Sequence, residues 1–356
     1  MDIVRSCQSA LALLVASAVV TTSSRRVKTK DGLLYEPKYQ SLFDDRRGPR
    51  TGWFNKSLTD ALLKTERGST SQLQALLRRE HPEAHVYSFP FLRPRFAKML
   101  LEEAHNYKNS GLPVRKPNGM NNYGLLWNDI GMDEMFRQIQ RKYIIPIARL
   151  VFPHLGALTL DHQHTYLVQY STDMDAHGLD VHHDSCDITF NAALDEASEY
   201  EGSGLTFCGL YSTRRYRDYL FTYRHELGRG IIYDGRQRHG AEPIIAGMRT
   251  NLVMWSHSSA YRNSPGYSRQ NTPQHFDDGQ ADPRCVSYHH DQDYCTYRLP
   301  GYTKRCSNSG DNTFRPAWRK ALKESRYWNV GAELRDSASG IQVVGGQGPH
   351  STTVEL

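Results

Sequence analysis

The sequence predicts an α+β protein whose core is mainly β, an antiparallel sandwich or barrel supported by N-terminal helices. From residue 165 onward, short runs rich in Val, Ile, Phe and Tyr alternate with turn residues at fairly regular spacing. Upstream of that point, apolar residues recur at helical spacing. The chain has 356 residues and is 38% hydrophobic, which is enough to bury a sizeable core.

The residues before 165 are predicted to form helices around one strand. Gly68 divides a first helical region, Pro94 suits the first position of a second helix, and Pro146 kinks or ends a third. The predicted elements are helical pieces within Leu62–Arg79, a strand at Val86–Leu92, a helix at Phe96–Tyr107 and a helix from Met135 to Val151.

The residues from 165 onward are predicted to form the strands of the core. Gly, Asn and Asp residues mark the ends of these strands. After Tyr261 the chain becomes polar, with one amphipathic helix predicted at Trp318–Trp328 before a tail whose composition is typical of disorder. The predicted strands are Tyr166–Tyr170, Val181–Cys186, Ile188–Leu194, Leu205–Cys208, Gly230–Tyr233, Ala241–Ile245 and Asn251–Ser256.

The N-terminus carries a candidate targeting segment. Arg5 precedes an apolar run from Ala10 to Val20 that contains a small-x-small site at Ala16-Ser17-Ala18, as in a secretory signal peptide. The absence of acidic residues between Asp2 and Asp31 also fits an organellar transit peptide, and a cytoplasmic protein with an N-terminal helix is the third reading. The run is too short to span a bilayer.

We expect four regions along the chain. They are a targeting segment at 1–24, a charged linker with helices at 25–85, a domain carrying the site at 86–262 (helical support 86–160, β core 161–262) and a loop-rich tail at 263–356. Lys and Arg are scattered despite a net charge of +6, so we expect no nucleic-acid partner.

The six cysteines leave the redox state open. Cys186 and Cys208 lie in apolar runs and are interpreted as buried thiols. Cys285, Cys295 and Cys306 lie in the loop-rich tail, where a disulfide could form in an oxidising compartment.

A metal site is predicted by His182 and Asp184, which stand two residues apart. On a strand, such residues point to the same face and can share one ion. His239 lies at the start of a later strand and can complete the set. Two histidines and one carboxylate, with open positions opposite them, are the ligand set of non-haem Fe(II) oxygenases. His183, between the ligands, is expected to face away.

A 2-oxoglutarate site is predicted by Arg249, ten residues after His239. Its guanidinium suits the distal carboxylate of 2-oxoglutarate, a planar group that Arg can bind through two hydrogen bonds. Tyr170 could donate its hydroxyl to the same cosubstrate. Thr189 and Asn191 share a face of the next strand, and either could hydrogen-bond it as well. Gly202 and Gly204 allow a strand to pass close to this pocket.

These residues carry a resemblance to the prolyl and lysyl hydroxylase group of 2-oxoglutarate/Fe(II) dioxygenases. The stretch from His182 through Ile188–Leu194 to Tyr200–Gly204 resembles the catalytic core of procollagen lysyl hydroxylases. Residues 35–265 more widely resemble the 2-oxoglutarate and iron-dependent oxygenase domain-containing protein 2 family. His183 departs from this family, which tends to carry an aromatic there, and Gly202-Ser203-Gly204 replaces the usual Gly-Gly pair.

The resemblance implies a double-stranded β-helix with iron at His182, Asp184 and His239, 2-oxoglutarate at Arg249 and Tyr170, and ascorbate dependence. It leads to the hypothesis of a dioxygenase that hydroxylates a prolyl or lysyl side chain of a protein and converts 2-oxoglutarate and O2 to succinate and CO2. Two alternatives stay open: a metal-binding scaffold module without activity, and an oxygenase that acts on a small molecule.

Overall fold

The structure, a computed structural model, describes residues 25–174, 176–271 and 281–287. Five sequence predictions concern residues outside these ranges: the targeting segment at 1–24, the helix at Trp318–Trp328, the disordered tail after that helix, and the states of Cys295 and Cys306.

The described residues form short strands and helices in an order that changes from helical to β at about residue 160. The strands are β1 (Val27–Lys28), β2 (Leu34–Tyr35), β3 (Arg78–Arg79), β4 (Val86–Pro90), β5 (Gly124–Leu126), β6 (His162–Ser171), β7 (Leu179–His182), β8 (Ile188–Ala193), β9 (Tyr200–Gly202), β10 (Leu205–Leu210), β11 (Tyr219–Tyr223), β12 (Arg229–Asp234), β13 (Gln237–Ala241) and β14 (Ile244–His257). The α-helices are α1 (Lys56–Glu66), α2 (Ser71–Leu76), α3 (Pro94–Lys108), α4 (Asp133–Ile139), α5 (Ile145–Val151), α6 (Ser259–Arg262) and α7 (Pro265–Asn271).

Two antiparallel sheets make up the core. The larger sheet has the strand order β3-β4-β12-β8-β14-β6-β5, and β9 pairs with one end of β14. The smaller sheet has the order β11-β10-β13-β7. The chain crosses repeatedly between the sheets, from β6 to β7 to β8 and again from β12 to β13 to β14, and the predicted double-stranded β-helix is confirmed.

Apolar side chains from both sheets meet between them. Phe207 of β10 packs in one buried cluster with Ile231 and Tyr233 of β12. A second cluster joins Ala241 of β13 to Val253 of β14. Because each cluster draws on both sheets, the space between the sheets is a packed interior that can enclose a site.

The helices cover the outer face of the larger sheet. Phe190 of β8 and Leu252 of β14 belong to one buried cluster with Phe96 of α3, Met135 of α4 and Ile147 of α5. Asn55 caps α1 by accepting hydrogen bonds from two backbone amides. The larger sheet therefore lies between the helical layer and the smaller sheet.

The strand predictions differ from the structure at two places near the site. β7 ends at His182, so the predicted strand Val181–Cys186 becomes a loop after that residue. The predicted strand Ala241–Ile245 includes the end of β13 and the beginning of β14, with a turn between them. Both differences arise because strand ends are set by pairing with distant residues, which local composition does not report.

A disulfide corrects the interpretation of Cys208 as a buried thiol. Cys208, on β10, is bonded to Cys285, 77 residues later in the chain. Cys186 is a buried free cysteine, as predicted. Residues 281–287 are thereby held on the smaller sheet, where Cys285 contacts Val181 of β7. In the described part of the chain, no helix has the length and apolar character needed to cross a membrane.

We expect Cys208→Ser to lower the free energy of unfolding by about 4 kcal/mol, because the disulfide restricts the unfolded chain across a long loop. Guanidinium denaturation with and without a thiol reductant measures this effect. The Cys208→Ser/Cys285→Ser double variant is the control, since its unfolding should not respond to reductant. An unfolding midpoint of the unmodified protein that reductant leaves in place would contradict the prediction.

Candidate metal centre

The two candidate histidine ligands face each other across a pair of strands. His182 is the last residue of β7 and pairs directly with His239 of β13. Asp184 follows in the loop after β7, and its backbone amide donates to the carbonyl of Gly235 in the turn between β12 and β13 (2.8 Å). Gly235 has to be glycine, because a Cβ there would lie 1.8 Å from the carbonyl oxygen of Cys186.

The three side chains converge on one point. His182 Nε2 lies 3.5 Å from Asp184 Oδ1, and His239 Nε2 lies 3.7 Å from Asp184 Oδ2. One ligand atom from each residue falls within 4.8 Å of the others. All three side chains are buried, with exposed fractions of 4% or 5%. The spacing suits a single ion held by all three groups.

Hydrogen bonds set the tautomer of each histidine. Nδ1 of His182 lies 2.8 Å from the carbonyl of Asp180, and Nδ1 of His239 lies 2.8 Å from the carbonyl of Gln237. A carbonyl can only accept, so Nδ1 carries the hydrogen in both rings. Both Nε2 lone pairs therefore point at the shared site, as in metal-ligating histidines whose second nitrogen is held by a backbone carbonyl.

Burial and mutual charge favour the protonation states that a cation needs. Burial lowers the pKa of His239 to about 4, so the ring is neutral at pH 7. Burial alone would raise the pKa of Asp184, but His239, His182 and Thr189 together lower it below its usual value. Two neutral nitrogens and one carboxylate are the forms in which these groups ligate metals.

Thr189 and Cys186 support the carboxylate. The Thr189 hydroxyl donates to Asp184 Oδ2 (2.5 Å), and Cys186 Sγ lies 3.0 Å from that hydroxyl. The sequence pointed to Thr189 as a candidate cosubstrate ligand, and the structure places its hydroxyl on the carboxylate of Asp184, a candidate metal ligand. This contact fixes the rotation of the Asp184 side chain.

Arg249 supplies a buried positive charge in the same cavity. Its side chain is almost fully buried, Nη1 donates to the carbonyl of Ser203, and Cζ lies 4.9 Å from the centre of the Tyr170 ring. Arg249 Nε is buried without a hydrogen-bond partner, and within the described ranges the guanidinium forms no ion pair with a carboxylate, although the charge of Asp195 acts on it from farther away. A buried cation of this kind calls for an anionic ligand.

The Arg249 contact is made by the backbone of the Gly202-Ser203-Gly204 sequence. Gly202 (φ 80°) and Ser203 (φ 51°) both have left-handed backbone conformations. Such a conformation is uncommon for a serine, and it directs the Ser203 carbonyl at Arg249.

The candidate metal ligands His182, Asp184 and His239 line one cavity together with Arg249. The Tyr170 hydroxyl at its wall donates to Asn121 Oδ1 (3.1 Å). Asn191 also lines the cavity, and its Oδ1 accepts from the side-chain amide of Asn251 (2.6 Å). The structure thus brings Tyr170, Asn191 and Arg249 to the space beside the three candidate metal ligands.

Neither His183 nor the group His85, His154 and Asp234 forms a comparable site. His183 turns away from the ligand set and stacks on Tyr211, with ring centres 4.0 Å apart. His85, His154 and Asp234 also lie within ligand distance of one another. There, Arg236 donates to both carboxylate oxygens of Asp234 (3.2 and 2.7 Å), so the charge of that carboxylate is already balanced.

The sequence did not single out Tyr233, Trp255 or His225. Tyr233 and Trp255 line the cavity, and the Tyr233 hydroxyl lies 3.3 Å from His239 Nε2. His225 is buried beside Asn251. Tyr233 and Trp255 lay within predicted strands, but which face points inward depends on strand register. His225 lies in a loop, for which no periodic signal exists.

Comparison with known proteins supports the resemblance drawn from the sequence. Residues 34–157 match the OGFOD2-like domain family. A mouse protein named 2-oxoglutarate and iron-dependent oxygenase domain-containing protein 2 is 33% identical over 219 residues, which cover 58% of this chain and 62% of that protein. The human protein of the same name is 34% identical over 183 residues, covering 51% of each chain. The chain thus spans between half and two thirds of these relatives.

A procollagen lysyl hydroxylase and glycosyltransferase from Acanthamoeba polyphaga mimivirus is 27% identical over 179 residues, which cover 47% of this chain and 19% of that protein. Among solved structures, a prolyl 4-hydroxylase from Phytophthora capsici superposes with a TM-score of 0.41 at 13% identity, covering 62% of this chain and 70% of that one. The predicted similarity to the 2-oxoglutarate and iron-dependent oxygenase domain-containing protein 2 family is confirmed by the family match and the mouse and human relatives.

We expect Thr189→Val to weaken Fe(II) binding by roughly 10–100-fold, because it removes the hydrogen bond that orients a ligating carboxylate. Anaerobic metal titration measures the dissociation constant. Thr206→Val is the matched control: Thr206 is equally buried and donates to a different carboxylate, that of Glu242 (2.8 Å). Equal Fe(II) affinity in both variants would show that the Thr189 contact does not orient the ligand.

Proposed function

We propose that the protein is an Fe(II)- and 2-oxoglutarate-dependent dioxygenase. One observation carries the proposal: the buried set His182, Asp184 and His239 shares a cavity with Arg249, a buried guanidinium without a carboxylate partner in the described part of the chain. The names of the relatives, 2-oxoglutarate and iron-dependent oxygenases, agree with it.

The donor set fits Fe(II). His182 and His239 would contribute neutral nitrogens and Asp184 a single negative charge, and three ligands leave coordination positions open. When bound, Fe(II) supplies the activation of O2 and the oxidative decarboxylation of 2-oxoglutarate to succinate and CO2. The chain itself holds the ligands in fixed tautomers and excludes bulk water from the cavity.

The surroundings of Arg249 fit the distal carboxylate of 2-oxoglutarate. The guanidinium is held by the Ser203 carbonyl on one side and the face of Tyr170 on the other, which leaves Nε and the remaining amino group to bind a carboxylate through two hydrogen bonds. Because Arg stays charged when buried, the site needs no change of protonation to accept the anion. Ascorbate as a reductant stays a prediction from the resemblance.

The substrate that we propose is a prolyl or lysyl side chain of a protein or peptide. In support, the motif from His182 to Gly204 resembles lysyl hydroxylases, and one relative is named as a procollagen lysyl hydroxylase and glycosyltransferase. One oxygen atom of O2 would enter the substrate C–H bond as a hydroxyl, and the other would enter succinate. Of the four electrons that O2 takes up, two come from the oxidative decarboxylation of 2-oxoglutarate and two from the oxidised substrate C–H bond.

We also propose that the protein works in an oxidising compartment, with the secretory pathway as the first candidate. The disulfide between Cys208 and Cys285 supports this location, because such bonds persist in secreted proteins and are rare in the cytosol. Recovery of the two cysteines as free thiols from protein isolated from its own cells would overturn this proposal.

We expect Arg249→Met to weaken 2-oxoglutarate binding by at least roughly 30-fold, because it removes one partner of a buried charged pair. Anaerobic titration of the Fe(II) protein, followed by the visible charge-transfer band of the chelated cosubstrate, measures the affinity. Fe(II) affinity should stay unchanged, whereas the control Asp184→Ala should lose the metal. A band of full intensity and unchanged affinity in Arg249→Met would exclude the cosubstrate site at this residue.

We expect the loaded enzyme to add 16 Da to a Pro- or Lys-containing peptide, since hydroxylation inserts one oxygen atom. Mass spectrometry of peptide libraries after incubation with Fe(II), 2-oxoglutarate and O2 tests this, with Asp184→Ala as the control. Succinate formation that small molecules stimulate and peptides do not would contradict the proposed substrate class.

A further inference from the structure

The segment 281–287 lies on the outer side of the strands that carry both candidate histidine ligands. Cys285 is fully buried there and forms the disulfide with Cys208 of β10. It also packs against Val181, the residue before His182 on β7. Because neighbouring residues of a strand point to opposite faces, Val181 faces this segment while His182 faces the cavity. The segment therefore contacts the ligand strands without entering the site.

A hydrogen bond joins this segment to the residue that holds the His182 ring. The Ser287 hydroxyl donates to the carboxylate of Asp180 (3.3 Å). The backbone carbonyl of Asp180 in turn accepts from Nδ1 of His182 (2.8 Å). Since Ser287 is fully buried, its contact is shielded from water. Ser287 thus supports the residue that sets the orientation of the first ring.

A second hydrogen bond reaches the strand of the other histidine. The guanidinium of Arg238 is fully buried and donates to the carbonyls of Cys285 (2.9 Å) and Tyr216 (3.0 Å). A buried charged group needs such acceptors. Because Arg238 directly precedes His239 on β13, the Cys285 carbonyl helps to hold the backbone from which the second ring projects.

The disulfide is the strongest attachment of this segment to the sheet. The described residues of the segment form one turn of 3₁₀-helix at Pro283–Cys285, and its apolar burial comes from Cys285 and Val286. Burial of so little apolar surface stabilises a short segment only weakly. Without the disulfide, the two hydrogen bonds to the ligand strands would therefore be made only part of the time.

We propose that the segment 281–287 positions His182 and His239 for metal binding, so that full Fe(II) affinity requires the Cys208–Cys285 bond. The inference rests on the proposed function and extends it to residues outside the cavity. These residues act through the backbone beside each ring and touch neither the metal position nor the cosubstrate. Groups that hold metal-ligating histidines in this way contribute roughly 10–100-fold to metal affinity.

The experiment compares the Cys208→Ser/Cys285→Ser double variant with Leu100→Ala in the full-length protein. Leu100 is fully buried in α3, in the helical layer on the far side of the larger sheet. Truncation of a buried leucine destabilises a protein about as much as loss of a disulfide, so Leu100→Ala controls for stability alone. Anaerobic titration gives the dissociation constant of Fe(II), and the visible spectrum of the Co(II)-loaded protein reports the coordination geometry. Unfolding curves establish a temperature at which every variant is folded.

We expect the double cysteine variant to bind Fe(II) roughly tenfold more weakly or worse and to change the Co(II) spectrum, because both rings lose part of their support. Leu100→Ala should keep the Fe(II) affinity and the Co(II) spectrum of the unmodified protein. Unchanged Fe(II) affinity in the double variant would overturn the inference. An equal loss of affinity in Leu100→Ala would also overturn it, because the effect would then follow from stability alone.

If the double variant does not fold, Ser287→Ala decides the question, since it keeps the disulfide and removes only the contact to Asp180. Weaker Fe(II) binding in Ser287→Ala is the expected result, and unchanged binding would overturn the inference. Titration with 2-oxoglutarate separates the inference from the proposed function. If the unmodified protein binds Fe(II) but no 2-oxoglutarate, the proposed function fails, while the Fe(II) affinities still decide the inference. If it binds no Fe(II), both fail.

Discussion

The site depends on one cross-strand pair, His182 of β7 opposite His239 of β13. Because directly paired residues of an antiparallel ladder hold their Cβ atoms about 5 Å apart, this register alone brings two imidazoles together. A shift of β7 by one residue would turn the His182 ring to the face of the sheet opposite His239. The contact between Asp184 and Gly235 then adds the carboxylate, since it ties the loop after β7 to the next turn.

The cavity contains two buried side chains of opposite charge, Asp184 and Arg249. Asp184 is negative and Arg249 positive, and they are not within ion-pair distance of each other. Burying two separated charges is costly unless each obtains a partner. A divalent cation at Asp184 and a dianion reaching Arg249 would provide both partners, and the formal charge of the cavity would remain zero. The cavity is therefore suited to binding the two together.

Much of the architecture could be predicted from the sequence, because apolar periodicity and turn residues report it locally. Pro94 and Gly68, for example, mark a helix start and a helix break that the structure confirms. The spacing of His182 and Asp184 indicated a shared face, although Asp184 lies in a loop and reaches the site through its contact with Gly235.

What could not be predicted depends on contacts between distant residues. The position of Tyr233 beside His239 follows from the way the two sheets face each other, and the orientation of Thr189 follows from the Asp184 side chain. The partner of Cys208 is 77 residues away, and spacing alone cannot identify such a pair.

The segment 281–287 has a consequence for how the barrel is assembled during synthesis. It covers the outer side of the ligand strands: the Cys285 carbonyl accepts from Arg238, the neighbour of His239, and the Ser287 hydroxyl donates to Asp180, whose carbonyl holds His182. All strands of both sheets have been synthesised once residue 257 is added to the chain, whereas residues 281–287 are added later. A nascent chain that has just completed β14 would therefore have its ligand strands paired but without this outer support. A chain cut before residue 281 would keep both sheets and lose the disulfide and these two hydrogen bonds to the ligand strands.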